Sequence, residues 1–211
     1  MGVTGSTSRA AAPASEDELS EGSTGAADRG NPQSRNRWRR WLLRVLAAAF
    51  IIVAVFAAAT LRLFVFPPTD GPAHVDGILS FNGSDEITRT ALAVSLAEKG
   101  YAHVLLYSQG AATADTSCPK VPHVSVVCFV DVTNNTRGEA EWAGRYAERH
   151  HWRSLLIVPG RSQATRARVL VERCFSGRVI VVPPSESRPA VSDIVHQWGG
   201  LFDALFIDRG C

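Results

Sequence analysis

One uninterrupted apolar stretch constrains this chain more than any other feature. Residues 45–61 are 17 positions without a charge, and the flanking residues 41–44 and 62–66 extend the stretch to 26 positions. A bilayer core of about 30 Å is crossed by about 20 helical residues. Arg44 and Arg62 lie near the ends, where long side chains reach the headgroups, and aromatic residues flank the stretch as at membrane interfaces. The pattern predicts a transmembrane helix over residues 41–66.

Two other interpretations of the stretch are weaker. A buried core helix would need more surrounding chain than this sequence offers to cover 17 apolar residues. A cleaved signal peptide is disfavoured by the 40 residues that precede the stretch, and by Thr60-Leu61-Arg62, which is not a small-residue cleavage site. We therefore expect one retained span.

Charge around the span predicts its orientation. Five arginines precede it: Arg35, Arg37, Arg39, Arg40 and Arg44. Only Arg62 follows closely, so the positive-inside rule predicts a plasma-membrane protein with a cytoplasmic N-terminus and an extracellular or periplasmic C-terminal domain. Residues 1–40 hold almost no large apolar side chains before the basic cluster, which predicts a disordered cytoplasmic tail with a basic end.

Residues 67–211 have the composition of one globular domain. This segment of 145 residues suits a single hydrophobic core. It carries 14 basic and 15 acidic side chains, so it lacks the basic face that nucleic-acid binding requires, and no nucleic-acid partner is expected. The proline-rich residues 67–74 predict an extended linker, and residues 75–211 predict the folded domain.

All four cysteines follow the span, which agrees with an oxidising exterior. Four cysteines allow three pairings. We favour Cys118 with Cys128, which closes a short loop, and this leaves Cys174 with Cys211. The alternative is four unpaired thiols. The cysteine and histidine spacings do not match a zinc site, so no metal is predicted.

Short apolar runs alternate with helical patterns along the domain. Strands are predicted at 75–81, 103–108, 124–130, 154–158 and 178–183, and helices at 85–99, 136–150, 163–174 and 191–206. The last helix contains Gly199-Gly200, where a break is conceivable. Strands that are apolar on both faces, interleaved with amphipathic helices, predict a three-layer α/β domain with a Rossmann-like parallel sheet.

Ligands of such sheets bind beyond the carboxyl ends of the strands. Four of these ends are small or polar: Asn82-Gly83-Ser84, Ser108-Gln109-Gly110, Thr133-Asn134-Asn135-Thr136 and Pro159-Gly160-Arg161. Because the ends of parallel strands share one edge, they predict a polar pocket there. Plain turns and helix caps are the alternative for these residues.

Cations and caps near these ends have two interpretations each. Arg89, Arg161 and Arg166 lie at helix starts, where they could hold an anion or simply be solvated. Thr136 and Glu139 match a capping box. Asp76 and Asp131 lie on or beside strands as candidate buried carboxylates.

A dinucleotide fingerprint, a P-loop and a nucleophile elbow are all lacking from the sequence, so neither a cofactor nor a catalytic residue is predicted.

The order of four sequence blocks resembles the DUF218 family, also called YdcF-like, which includes SanA- and ElyC-type envelope proteins. The blocks are VDGILSFNG followed by Arg89, then VLLYSQG, then VTNNTRGEA, then LLIVPGRSQATRA followed by VIVVPP. They span about residues 75–184. The resemblance implies a Rossmann-like fold, a nucleotide-like or phosphate-bearing ligand, and a role around cell-wall precursors or envelope permeability.

Carried over position by position, the resemblance implies a ligand-binding set of nine residues: Asn82, Gly83, Arg89, Ser108, Gly110, Asn135, Thr136, Glu139 and Arg166. The chain departs from the family pattern in three places. The glycine-rich end of the first strand is reduced to Gly83, the family's His is Gln163, and Pro159-Gly160 replaces Thr-Ser. If that His performs acid–base chemistry, this chain lacks it.

The sequence therefore predicts a single-pass membrane protein whose exterior domain binds an anionic envelope metabolite, either a small molecule or a lipid-linked one. The alternative is a degenerate, non-catalytic module that binds a partner in envelope assembly. Convergence of Arg89, Asn135 and Arg166 on one cavity would favour the first. A hydrolase is implied by family analogy alone.

Overall fold

The computed structural model describes residues 32–83, 86–110, 118–131, 133, 135–185, 190–207 and 209–211. The predicted tail lies outside these residues as far as position 31, as do Ser84 and Asn134 of the predicted strand ends. The chain divides into two units, of which the first ends at Ala47 and the second is Ala48–Cys211. The cavity and every contact described below belong to the second unit.

The apolar stretch is helical over its whole length. Helix α1 covers Pro32–Thr60 and continues as a π-helical turn over Leu61–Val65. Within the described residues, Asn36–Val65 is long and apolar enough to cross a membrane, and its most apolar part is not buried. The helix begins before the predicted position 41 because the arginine-rich residues ahead of the span are good helix formers.

The elements predicted for residues 75–211 are all present. The strands are β1 (Gly77–Ser80), β2 (Val104–Gln109), β3 (Ser125–Val130), β4 (Ser154–Val158) and β5 (Arg178–Val181). The helices are α2 (Glu86–Glu98), α3 (Thr136–Arg149), α4 (Ala164–Cys174, after a 3₁₀ turn at Arg161–Gln163) and α5 (Val191–Phe202). Helix α5 runs through Gly199-Gly200 without a break and continues as a π-helical segment over Asp203–Ile207.

The five strands form one parallel sheet in the order β3-β2-β1-β4-β5. Successive side chains point to opposite faces, so apolar runs bury both. Ile78 and Leu105 pack with α2 on one face, while Leu79 and Leu106 pack with α3 and α4 on the other. The α/β class with helices on both faces of a parallel sheet is therefore confirmed.

The residues that follow helix α1 pack on the domain. Phe64 in the π-helical turn is fully buried, and the Thr165 hydroxyl of α4 donates to the Leu63 carbonyl at 2.6 Å. Within the predicted linker, Asp70 accepts from the Val181 amide of β5 at 2.9 Å and pairs with Arg168. The chain that leaves α1 is therefore held against the sheet.

Both cysteine pairs favoured by the sequence lie at disulfide distance. The Cα–Cα separation is 6.1 Å for Cys118 with Cys128 and 4.9 Å for Cys174 with Cys211. The second pair joins the end of α4 to the residue that follows the α5 region. The segment that carries α5 is consequently fixed at both ends.

Candidate functional site

A cavity of about 490 Å³ lies at the carboxyl edge of the sheet. Seven of the nine predicted ligand-binding residues line it: Asn82, Gly83, Ser108, Asn135, Thr136, Glu139 and Arg166. They come from the ends of β1 and β2 and the starts of α3 and α4. Strand order reverses between β1 and β4, and parallel sheets bind ligands at such a reversal.

Arg89 and Gly110 are the two predicted residues outside the lining. Gly110 is buried at the end of β2. Arg89 has no exposed surface and lies behind the cavity wall, where its guanidinium donates to the Asn82 carbonyl at 2.9 Å and the Gln163 amide oxygen at 3.3 Å. Arg89 therefore positions two lining residues.

Asn135 begins helix α3. Its side chain accepts from the Gly138 amide at 2.9 Å, so Asn135 is the N-cap and the capping box predicted for Thr136 and Glu139 is wrong. Asp131 accepts from the Asn135 amide at 3.1 Å, and a side chain at Gly138 would collide with its carboxylate. The Thr133 hydroxyl donates to the same carboxylate oxygen at 2.7 Å, so Asp131 accepts local hydrogen bonds at the start of α3.

Glu139 instead reaches across to the end of β1. Its carboxylate accepts from the Asn82 amide at 2.7 Å, and only 4% of the residue is exposed. Burial raises the pKa of Glu139 to about 7, although the Ser108 hydroxyl, the Asn82 amide and the charge of Arg89 favour the ionised form. A carboxyl group that gains and loses a proton near neutral pH can transfer protons to a bound molecule.

Arg166 lies across the cavity from the β1 end. Its guanidinium donates to the Thr136 hydroxyl at 2.9 Å, and it packs so closely on Gly200 of α5 that a side chain there would overlap it. Burial lowers the pKa of Arg166, while the charges of Glu139 and Asp203 oppose that shift. Its buried Nε has no hydrogen-bond partner among the described residues.

The sequence prediction missed the wall that α5 contributes. His196, Gly200, Asp203 and Ala204 line the cavity from this helix and the π-helical segment after it. Their spacing of four, three and one places them on one helix face. This spacing was the sequence signal for a shared helix face. It does not indicate which face of α5 packs toward the sheet. Asp131, Arg137, Gln163, Gln109 and Leu170 complete the lining.

The other candidate carboxylate has a different location and partners. Asp76 precedes β1 at the amino edge of the sheet and accepts from the backbone amides of Arg153 and Ser154 at 2.8 and 2.9 Å. The Arg153 amide is the main cause of its lowered pKa. Among the described residues, no group of three His, Cys, Asp or Glu side chains could hold a metal ion.

Comparisons with known proteins returned nothing similar: neither the family models nor the curated proteins nor the solved structures contain a match to this chain. What the cavity does must therefore be argued from its own residues.

Proposed function

We propose that this chain is a single-pass membrane protein whose exterior, Rossmann-like domain binds an anionic, phosphate-bearing metabolite of the cell envelope. The ligand is a small molecule or a lipid-linked one, in wall-precursor or related envelope processes. Membership of the YdcF-like family is part of this proposal. It is supported by the strand order with its reversal at the cavity, and by the four ordered sequence blocks.

The observation that carries the proposal is the state of Arg166. A buried donor without a partner costs about 1–3 kcal/mol, so such donors normally face an acceptor. The Nε of Arg166 is buried at the cavity, and its guanidinium is the kind of group that holds phosphate in a planar fork. A phosphoryl oxygen in the cavity would pair with the charge of this guanidinium.

The lining also contains the carboxyl groups of Asp131, Glu139 and Asp203. Asp131 accepts hydrogen bonds at the start of α3, and burial raises the pKa of Glu139 to about 7, which favours its uncharged form. Arg137 adds a second cation to the lining. Asn135 and Arg166 converge on this cavity, while Arg89 lies behind its wall, and this convergence supports a ligand site over the alternative of a partner-binding module.

Placement outside the cytoplasm is supported by two features. Five arginines precede the span and one follows it closely. Both cysteine pairs of the domain lie at disulfide distance, and such bonds persist in oxidising compartments.

A second candidate function rests on Glu139. Its carboxyl group faces the cavity with a pKa of about 7, which suits general acid–base work on the bound molecule. In this version the domain is an enzyme that moves a proton to or from a group beside the ligand phosphate. Gln163 stands where the family has His, so Glu139 would supply that chemistry.

The test is thermal unfolding of the detergent-solubilised full chain with inorganic phosphate, a nucleoside-diphosphate sugar or farnesyl diphosphate. Binding at 100 times the Kd stabilises by about 2.7 kcal/mol, so we expect a rise in Tm of about 5–10 °C. Arg166→Gln should abolish the rise. Arg168→Gln is the matched control on the same helix, since Arg168 pairs with Asp70 outside the cavity. No rise with any of the three compounds, or an equal rise in both variants, would contradict the proposal.

A further inference from the structure

Helix α5 and the segment after it carry an exposed apolar stripe. Val191, Val195, Phe202 and Phe206 are between 56% and 79% exposed, although all four are large and apolar. Their spacing of four, seven and four residues places them on one helix face, and the rings of Phe202 and Phe206 are 5.0 Å apart. Gly199 occupies the position between Val195 and Phe202 on this face, so the stripe contains no charged residue.

The next face of α5 packs on the apolar helix α1. The indole N–H of Trp198 donates to the Thr60 hydroxyl at 3.1 Å. The Trp198 ring also stacks on Phe56 at 5.0 Å and meets Phe64 edge-on at 5.2 Å. Phe56 precedes Arg62 by six residues, about 9 Å of helix. Trp198 therefore lies beside a part of α1 that is itself within the apolar span.

We propose that the stripe of α5 rests in the lipid surface, at the boundary between headgroups and acyl chains of the leaflet that faces the domain. Interfacial helices bury an apolar face about 5–10 Å into that boundary. The depth matches the position of Phe56 relative to Arg62. The stripe is continuous with a helix that spans the same membrane, and this continuity identifies lipid as what covers it. The inference rests on the membrane placement proposed above, and not on ligand binding.

The opposite face of α5 gives this placement a consequence for the cavity. His196 and Gly200 line the cavity from the same helix that carries the stripe. A helix with its side chains is about 10–12 Å across. The cavity therefore lies within about one helix diameter of the headgroups. This placement brings the cavity close to the phosphates of membrane lipids.

The test is photocrosslinking of the full chain in nanodiscs of phosphatidylethanolamine and phosphatidylglycerol. Benzoylphenylalanine replaces Phe202 or Phe206 in the stripe, or Glu148 as a control. Glu148 is exposed in the last turn of α3, at the amino edge of the sheet. We expect phospholipid adducts at both stripe positions at least fivefold above the control, as measured by mass spectrometry of the crosslinked peptides.

Two outcomes would overturn the inference. If adducts at Phe202 and Phe206 are as rare as at Glu148, the stripe does not contact lipid. Crosslinks to a second copy of the chain in place of lipid would make the stripe an interface between copies. Val195→Glu should lower the adducts at Phe202, because a charge in the stripe opposes insertion, whereas Arg166→Gln should leave them unchanged. The last variant separates a failure of ligand binding from a failure of lipid contact.

Discussion

The two edges of the sheet each carry a carboxylate, and their surroundings push the two pKa values in opposite directions. At the amino edge, Asp76 is exposed and accepts from the amides of Arg153 and Ser154, which lowers its pKa. At the carboxyl edge, Glu139 is buried and accepts from the Asn82 amide, and burial raises its pKa to about 7. Water and backbone donors stabilise the charge of Asp76. Glu139 is buried away from water, which destabilises its charge.

The contrast separates structural from chemically useful groups. Asp76 connects the starts of β1 and β4, and its charge is stable over the physiological pH range. Glu139 lines the cavity at the strand ends. Because its pKa is near 7, it can exchange a proton with a neighbour in the cavity. The lowered pKa of Asp76 means that its charge contributes to the stability of the folded chain. The raised pKa of Glu139 means that its charge reduces that stability at neutral pH.

The largest effect is expected from removing the cation behind the carboxyl edge. Arg89→Ala removes a charge that favours the ionised form of Glu139, removes the hydrogen bonds to Asn82 and Gln163, and leaves a hole behind the wall. We expect a loss of about 3–5 kcal/mol. The pKa of Glu139 should rise further above 7, because Arg89 lowers it in the native chain. Chemical denaturation of the solubilised chain measures the loss.

Arg145→Ala is the control for this variant. Arg145 is exposed on α3 and makes only a surface ion pair with Glu141, so its loss should cost below about 0.5 kcal/mol. Equal effects of the two substitutions would mean that Arg89 does not support the cavity.

An intermediate effect is expected from Glu139→Gln. The folded chain binds the Glu139 proton more tightly than the unfolded chain, so stability should fall as the pH rises from about 4.5 to about 7 and then stay level. The amide removes this dependence and should make the variant more stable by up to about 3 kcal/mol above pH 7. Tm measured against pH tests it, with the exposed Glu148→Gln as control. Parallel Tm profiles for Glu139→Gln and the native chain would refute the buried-acid interpretation.

The smallest effect is expected from Asp76→Asn. The side-chain oxygen can still accept the hydrogen bonds of the amino edge, but the charge that strengthens them is lost. Because the folded pKa of Asp76 lies below the ordinary value of 3.8, the native chain should be more stable above that pH, by about 0.5–1 kcal/mol given the exposure. The difference should vanish below the lowered pKa. A difference that persists in acid would show that geometry rather than charge matters there.

Local patterns were sufficient to predict the fold. Strands such as β4 are apolar at four of five positions and bounded by turns, so pattern and length alone located them. The shared edge of the sheet then followed from parallel connectivity. It brought residues as distant in sequence as Asn82 and Arg166 to one cavity. Several boundaries in the domain differ by one or two residues, as at β1, which was predicted at 75–81 and is Gly77–Ser80.

Contacts between distant elements could not be predicted in this way. Glu139 matched a local capping pattern, but its carboxylate bonds to Asn82, 57 residues away. Arg89 had the sequence position of an exposed helical arginine, and only the packing of α2 against the sheet buries it. The cavity wall from α5 depends on the close contact between Arg166 and Gly200. This contact joins two distant helices, so no local pattern predicts it.

The pairing of Cys174 with Cys211 closes a loop with a sequence separation of 37 residues. That loop begins at the end of α4, passes through β5 and α5, and returns to α4. A disulfide at this pair ties the residues after α5 to α4, so α5 has less freedom to separate from the sheet than a free terminus has. The cavity wall formed by His196 and Gly200 and the exposed apolar stripe belong to this one helix, and a displacement of α5 would move both.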